Sequence, residues 1–328
     1  MRRFARTLVA LVALAAGGCE DPPRVPYIRP ELAQWPPATP PTSVLQAHVF
    51  TTGRVGMPEV LLRRGGSPSV ARELPAIAYV LEHPDRGWIV VGAGLDAESE
   101  PVAPPGGGVL VGLLSGSVEP SRSLAEQMDD AGLDPASVRL VVLPTLRPEH
   151  AGGAEVFTQA EVVVSAVERR HAAASPGYRK ADFDEIENWR EIEFGSTGLG
   201  TFPASVDLLA DGSVVLIEAG GWTPGAMIVL VRLRGTPVLL ASALALIDEH
   251  ARYAAKPTAV FDFDRWWQRI WELKRFADLE PDLVVVSGDG PQAWAAAQPD
   301  AVVVHAAPSL PDPDTRPTPD ALRRLLPQ

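Results

Sequence analysis

Cysteine is almost absent from these 328 residues: the single one is Cys19, so no disulfide can close within the chain. No apolar run reaches the roughly 18 residues needed to cross a bilayer. There is no Gly-x-Ser-x-Gly elbow, which removes the usual signature of a serine hydrolase. The triplet Gly106-Gly107-Gly108 is followed by no Gly-Lys-Ser/Thr, which removes a phosphate-binding loop. Cations are outnumbered, with 29 Lys and Arg against 41 Asp and Glu and a formal net charge of −12. A body of that sign argues against a general nucleic-acid surface. Histidine is sparse at six. His48, His83 and His305 fall in or beside predicted strands, where packing or surface roles are expected, and His171 and His250 have no partner histidine at helical spacing.

What is present begins with an address. Arg2, Arg3 and Arg6 precede the apolar run 8–16, then Gly17, Gly18 and Cys19, a pattern of a leader and not of a spanning helix. Small residues before a cysteine resemble a bacterial lipoprotein signal. Residues 1–18 are therefore expected to be a lipoprotein signal peptide, with Cys19 lipidated (palmitate) and the body anchored to a membrane, in the periplasm or at the cell surface. An ordinary secretory leader is the alternative. Prolines at 22, 23, 26, 30, 36, 37, 40 and 41 make residues 19–43 a semi-rigid, extended tether. Residues 44–310 then form one domain, large enough for a substantial core, and 311–328 a Pro- and Asp-rich tail.

Within that domain, residues 44–50, 77–82 and 88–94 read as strands, the last two as a hairpin through His83-Pro84-Asp85-Arg86-Gly87. Residues 121–132 read as a helix capped by Ser121 or Ser123 and ended by Gly132. Strands follow over 138–144 and 162–165, a short helix over 168–174, and a segment over 183–192 expected to cover a cleft. The second half pairs strands at 205–209, 214–218, 227–233 and 238–242. A long amphipathic helix over 264–279 follows, with Trp267, Ile270, Trp271 and Lys274 on one side. Strands at 283–287 and 302–305 close the chain. Most of Trp222, Trp266, Trp267, Trp271 and Trp294 are expected in the core. Two strand-rich halves, each followed by helices, suit an α/β domain with an αββα sandwich.

Five segments in order carry a resemblance: 79–94, 143–153 with 160–165, 211–225, 238–243, and 287–291. Together they resemble the metallo-β-lactamase fold, above all its lactonase-like hydrolases, over nearly all of the chain after the tether. In that family a His-x-His-x-Asp-His turn supplies ligands to a one- or two-zinc centre. Here the turn is Thr145-Leu146-Arg147-Pro148-Glu149-His150, so the resemblance places Thr145 and Arg147 at the first two histidines and Glu149 and His150 at the aspartate and third histidine. Gly221-Trp222-Thr223-Pro224-Gly225 stands for Gly-His-Thr-Pro-Gly, Ala243 for a bridging aspartate, and Asp289 for a closing histidine. Gly92-Ala93-Gly94 replaces Asp-Thr-Gly.

The resemblance therefore implies the fold without its chemistry. Thr145, Arg147 and Trp222 offer no ligand set. Glu149, His150 and Asp289 leave one nitrogen and two carboxylates, but Arg147 is expected to pair with Glu149 or Asp289. No catalytic, cofactor-binding or metal residue is assigned, and no cofactor. The expected function is a membrane-anchored, non-catalytic protein binding a small ligand or a protein partner through a cleft rimmed by Arg147, Trp222 and residues 171–194, without nucleic acid. The alternative is an exported metal-dependent hydrolase of lactones or esters, with one zinc or manganese ion on the reduced site. Retention of Gly152, Gly153, Thr223, Pro224 and Gly225 implies that the loops keep their family shapes.

Overall fold

The computed structural model describes residues 29–35, 45–106, 116–175, 177–233, 236–291, 294–295, 298 and 300–306. Residues 1–18, read above as a leader, Cys19 and residues 311–328 lie outside them. The first sheet is built from β1 (Gln46–Pro58), β2 (Ala71–His83), β3 (Gly87–Val91), β4 (Ser117–Pro120), β5 (Val138–Val142), β6 (Glu161–Ser165), β7 (Trp189–Ile192) and β13 (Val302–Val304). Its order is β13-β1-β2-β3-β5-β6-β7, with β4 on β1. The second holds β8 (Ser205–Asp207), β9 (Val214–Glu218), β10 (Met227–Leu233), β11 (Thr236–Leu240) and β12 (Val284–Val286), in the order β12-β11-β10-β9-β8.

Period-two alternation decides which side chains meet. Along β9, Val214 and Leu216 face the other sheet, where they pack with Tyr79, Val91 and Val142, while Val215 and Ile217 face outward. The outward set packs under the longest helix. The same switch runs along β5, where Leu140 and Val142 point between the sheets and Val141 points out to Leu124 and Met128. Three apolar layers result, one between the sheets and one outside each, which is the αββα sandwich expected.

The helices are α1 (Glu59–Leu62), α2 (Leu124–Asp130), α3 (Pro148–Ala151), α4 (Ala166–Ala172), α5 (Asp248–Tyr253) and α6 (Phe263–Leu279). Ser123, not Ser121, caps α2: its hydroxyl accepts the Glu126 amide and the Glu126 carboxylate accepts the Ser123 amide. Asp262 starts α6 by accepting the Arg265 amide at 3.0 Å. The buried face of α6 is Trp266, Ile270, Leu273 and Phe276, one residue away from the predicted stripe, and Trp267 and Trp271 lie at its margin, half-buried. Trp222, Trp266 and Trp294 are core residues.

One expectation is corrected. Of residues 183–192, expected to form a covering segment, Trp189–Ile192 is the parallel edge strand beside β6, because its backbone donors and acceptors find a ladder there. The described part of the stretch read as a tether, residues 29–35, makes contacts with the body. Ala33 donates its amide to the Gly200 carbonyl, and the Trp35 ring meets Phe276 edge-on at 4.8 Å with Arg232 stacked 5.1 Å from it. An indole is too large an apolar surface to stay in water beside an open aromatic.

Candidate functional site

The candidate residues come together because four connections open at one edge of the sandwich. The turn after β5 carries residues 145–150, the β9–β10 connection carries 219–226, β11 leads into Ser242 and Ala243, and β12 leads into Asp289. The Met227 amide donates to the Pro144 carbonyl at 2.9 Å, pinning one sheet to the other at this edge. Backbone shape is set by glycines where no side chain fits. A Cβ on Gly225 would lie 2.2 Å from the Glu168 amide nitrogen, and Gly221 has φ +145° against the start of α6.

Arg147 occupies the centre of the turn and is 3% exposed. Its Nε donates to Glu149 Oε1 at 2.9 Å, and Nη1 donates to the carbonyls of Ala103 and Gly177 at 3.1 and 3.2 Å. Of the two partners expected for Arg147, the structure selects Glu149. Asp289 is held elsewhere, by Arg72 at 3.2 Å and the Ser287 hydroxyl at 3.0 Å, with Arg72 also bridging to Glu249 at 2.6 Å. Burial alone pushes the Glu149 carboxyl up, but the Arg147 guanidinium, by its charge and its hydrogen bond, pulls the other way and the group lies below its ordinary value, hence ionised.

His150 has a hydroxyl at each ring nitrogen: Thr145 Oγ1 at 2.9 Å from Nδ1 and Ser242 Oγ at 3.2 Å from Nε2. Burial holds it below the usual imidazole value, so it is neutral. Trp222, only 2% exposed, packs in the apolar layer under α6 and lines the same cleft as His150. These residues do not fit a metal ion. The His150 imidazole is engaged at both nitrogens, the Glu149 and Asp289 carboxylates are each committed to a guanidinium, and Arg147, Trp222 and Ala243 beside them supply a fixed cation, an indole and a methyl group. Among the described residues no group of three or more His, Cys, Asp or Glu could hold one.

What remains open is a cleft of about 580 Å³ including its mouth. Val55, Met57, Leu74, Ile77, Trp222 and Leu246 make its wall apolar, and Thr145, Glu149, His150 and Ser242 make one end polar. The expected rim is met by Trp222. Arg147 instead faces a smaller neighbouring groove with Pro148 and Glu149. A third groove includes Arg170, Glu193, Glu218 and Arg265 in its lining, where Glu218 is already saturated by Arg265 and Arg269 at 2.7 Å each and by the Gly220 amide at 2.8 Å.

Sequence reading missed the residue that holds the edge together. Glu168, on α4, is fully buried. Its Oε1 accepts from the Leu146 amide at 3.2 Å and the Tyr178 hydroxyl at 3.0 Å, and its Oε2 from the Thr223 hydroxyl at 2.8 Å and the Gly225 amide at 3.0 Å. It thereby ties the 145–150 turn to the 223–225 loop. Burial nevertheless raises its carboxyl above the ordinary value despite those four donors. Nothing in Ala166-Val167-Glu168-Arg169-Arg170 signals burial, since a charged run at a helix start ordinarily reads as a solvated face. Ser242 and Arg72 likewise carry no local signal.

No family model matches the chain. It is 26% identical over 231 residues to the N-acyl homoserine lactonase AttM of Rhizobium radiobacter, covering 68% of this chain and 84% of that protein. The AttM of Rhizobium johnstonii is 27% identical over the same length. Among solved structures, B. thuringiensis AiiA with N-decanoyl-L-homoserine at its active site superposes with a TM-score of 0.63 at 20% identity, covering 78% of this chain and 97% of that one. AidC, a dizinc quorum-quenching lactonase, superposes at 0.55 with 11% identity, over 77% and 92%.

Proposed function

Starting from a lactonase-like metallo-β-lactamase fold whose described residues offer no metal-binding cluster, we propose that this protein binds a small ligand or a protein partner in the cleft between Trp222 and His150 without hydrolysing it. One observation carries the reading. The Arg147 guanidinium is built into the turn where ligands would stand, with Glu149 and two backbone carbonyls around it. A fixed cation that is already satisfied disfavours a dication at the same place, and without one the fold loses its means of making a nucleophilic hydroxide. The names of the relatives make N-acyl homoserine lactones the first compounds to test.

The experiment is metal analysis of the protein purified without chelator after growth with zinc and manganese. Substoichiometric metal, together with ligand binding and no turnover, is the expected result. Stoichiometric metal that is lost in His150→Ala overturns the proposal in favour of a reduced-site hydrolase. The same reading places the body at a bacterial membrane through a lipid on Cys19, a residue outside those described. Replacing Cys19 by Ser is expected to release the protein from the membrane fraction, and equal membrane retention of the variant refutes the anchor. Among the described residues no helix is long and apolar enough to cross a membrane.

A further inference from the structure

Proton positions at the polar end of the cleft follow from which hydrogens have acceptors. Thr145 is 1% exposed, and its Oγ1 accepts the Arg147 amide at 3.3 Å. The bonds of that hydroxyl among the described residues are to the Arg147 amide and to His150 Nδ1 at 2.9 Å. Its own hydrogen therefore goes to Nδ1, because a buried hydroxyl hydrogen left without an acceptor costs about 1–3 kcal/mol. A neutral imidazole that accepts at Nδ1 carries its hydrogen on Nε2. Nε2 in turn lies 3.2 Å from Ser242 Oγ, which is half-buried at the cleft wall. Ser242 thus accepts from His150 and keeps its own hydrogen for the cleft.

Charge completes the picture. Glu149 is the ionised group on the cleft lining, and the guanidinium that neutralises it is not part of that lining and is engaged by three acceptors. An anion entering the cleft would meet a carboxylate and an apolar wall, whereas a neutral acceptor would meet a hydroxyl donor.

We infer that the Arg147 amide, Thr145, His150 and Ser242 form a one-way donor chain ending in the Ser242 hydroxyl, and that the cleft takes an uncharged ligand with an apolar body, its carbonyl oxygen seated on that hydroxyl, in preference to the corresponding carboxylate. This rests on the metal-free reading of the site. The same arrangement explains why a Ser–His contact need not make a nucleophile: an Nε2 that already carries hydrogen cannot accept the Ser242 proton, so an ester or lactone is held and no acyl bond to Ser242 forms.

The test has two parts, both on the full chain. The ¹⁵N shifts of His150 in the wild-type protein report the tautomer without any variant, and hydrogen on Nε2 is expected. Calorimetric titration then compares N-hexanoyl homoserine lactone with its ring-opened acid, which differs from it by one hydrolysed bond and one charge. The lactone is expected to bind at least about tenfold more tightly, a preference of about 1.4 kcal/mol, and Ser242→Ala is expected to abolish the preference. Hydrogen on Nδ1, equal binding of the two probes, binding of neither, an unchanged preference in Ser242→Ala, or an acyl adduct on Ser242 by mass spectrometry each overturns the inference. Stoichiometric metal with lactone turnover is a different result, and it sinks the underlying reading itself.

Discussion

Replacing Glu168 tests whether one buried carboxylate holds the functional edge in shape. Glu168→Ala strands four donors, of which the Tyr178 and Thr223 hydroxyls can rotate toward other acceptors, but the Leu146 and Gly225 amides cannot. Each orphaned buried amide costs about 1–3 kcal/mol, so the variant is expected to lose about 2–6 kcal/mol. Glu168→Gln keeps one carbonyl oxygen and turns an NH₂ toward the other pair of donors. One amide stays satisfied and the loss is expected to be about half as large. Urea denaturation followed by tryptophan fluorescence measures both, since a change in midpoint at constant slope reports stability directly. A pH series adds a second check. Burial raises the Glu168 carboxyl, so the native state takes up its proton before the unfolded chain does. Its contribution therefore grows as pH falls through the folded-state value and declines as pH rises through it. Glu168→Gln should remove that component. A Glu168→Gln variant as stable as wild type, or an Ala variant no worse than Gln, refutes the argument that the amides are the costly partners.

Asp182, fully buried beside Arg179, is pushed by burial from 3.8 up to about 6 against the pull of that arginine. Between those values wild-type stability gains a component as pH falls, and Asp182→Asn should lose it. His250, lowered by burial to about 4, acts in the opposite direction over the same range, so the difference between wild type and variant is the informative curve, and no change in slope refutes the assignment. Trp222→Ala should lose about 3–5 kcal/mol through cavity formation and leave the protein without bound metal. A loss below about 1 kcal/mol in urea denaturation would mean that the loop collapses into the space.

Much of the architecture was legible in the linear sequence because its signals are local. The unbroken apolar runs at 214–217 and 140–143 mark strands buried on both faces, Ser123 and Glu126 mark a helix start three residues apart, and Gly221 and Gly225 mark backbone approaches that exclude a side chain. The residues that the resemblance sets at ligand positions, Thr145, Arg147, Trp222 and Ala243, could be named from the order of motifs, and so could the donor set at the turn. Pairing across the fold could not be. Arg147 could reach Glu149 or Asp289 on paper, and only the sheet geometry gives Asp289 to Arg72, 217 positions away. Trp189–Ile192 was not legible as a strand within 183–192 because strand pairing is a property of the partner, here β6, and the strand itself carries a weak pattern. Trp35 lies in a proline-rich stretch whose composition argues for extension, and its docking on Phe276 depends on an aromatic surface some 240 residues further along. Glu168 and Ser242 show the limit most clearly. Sequence by itself determined where the polar side chains lie along the chain, but tertiary structure decided which of them left water and met donors, because desolvation acts on a position in space.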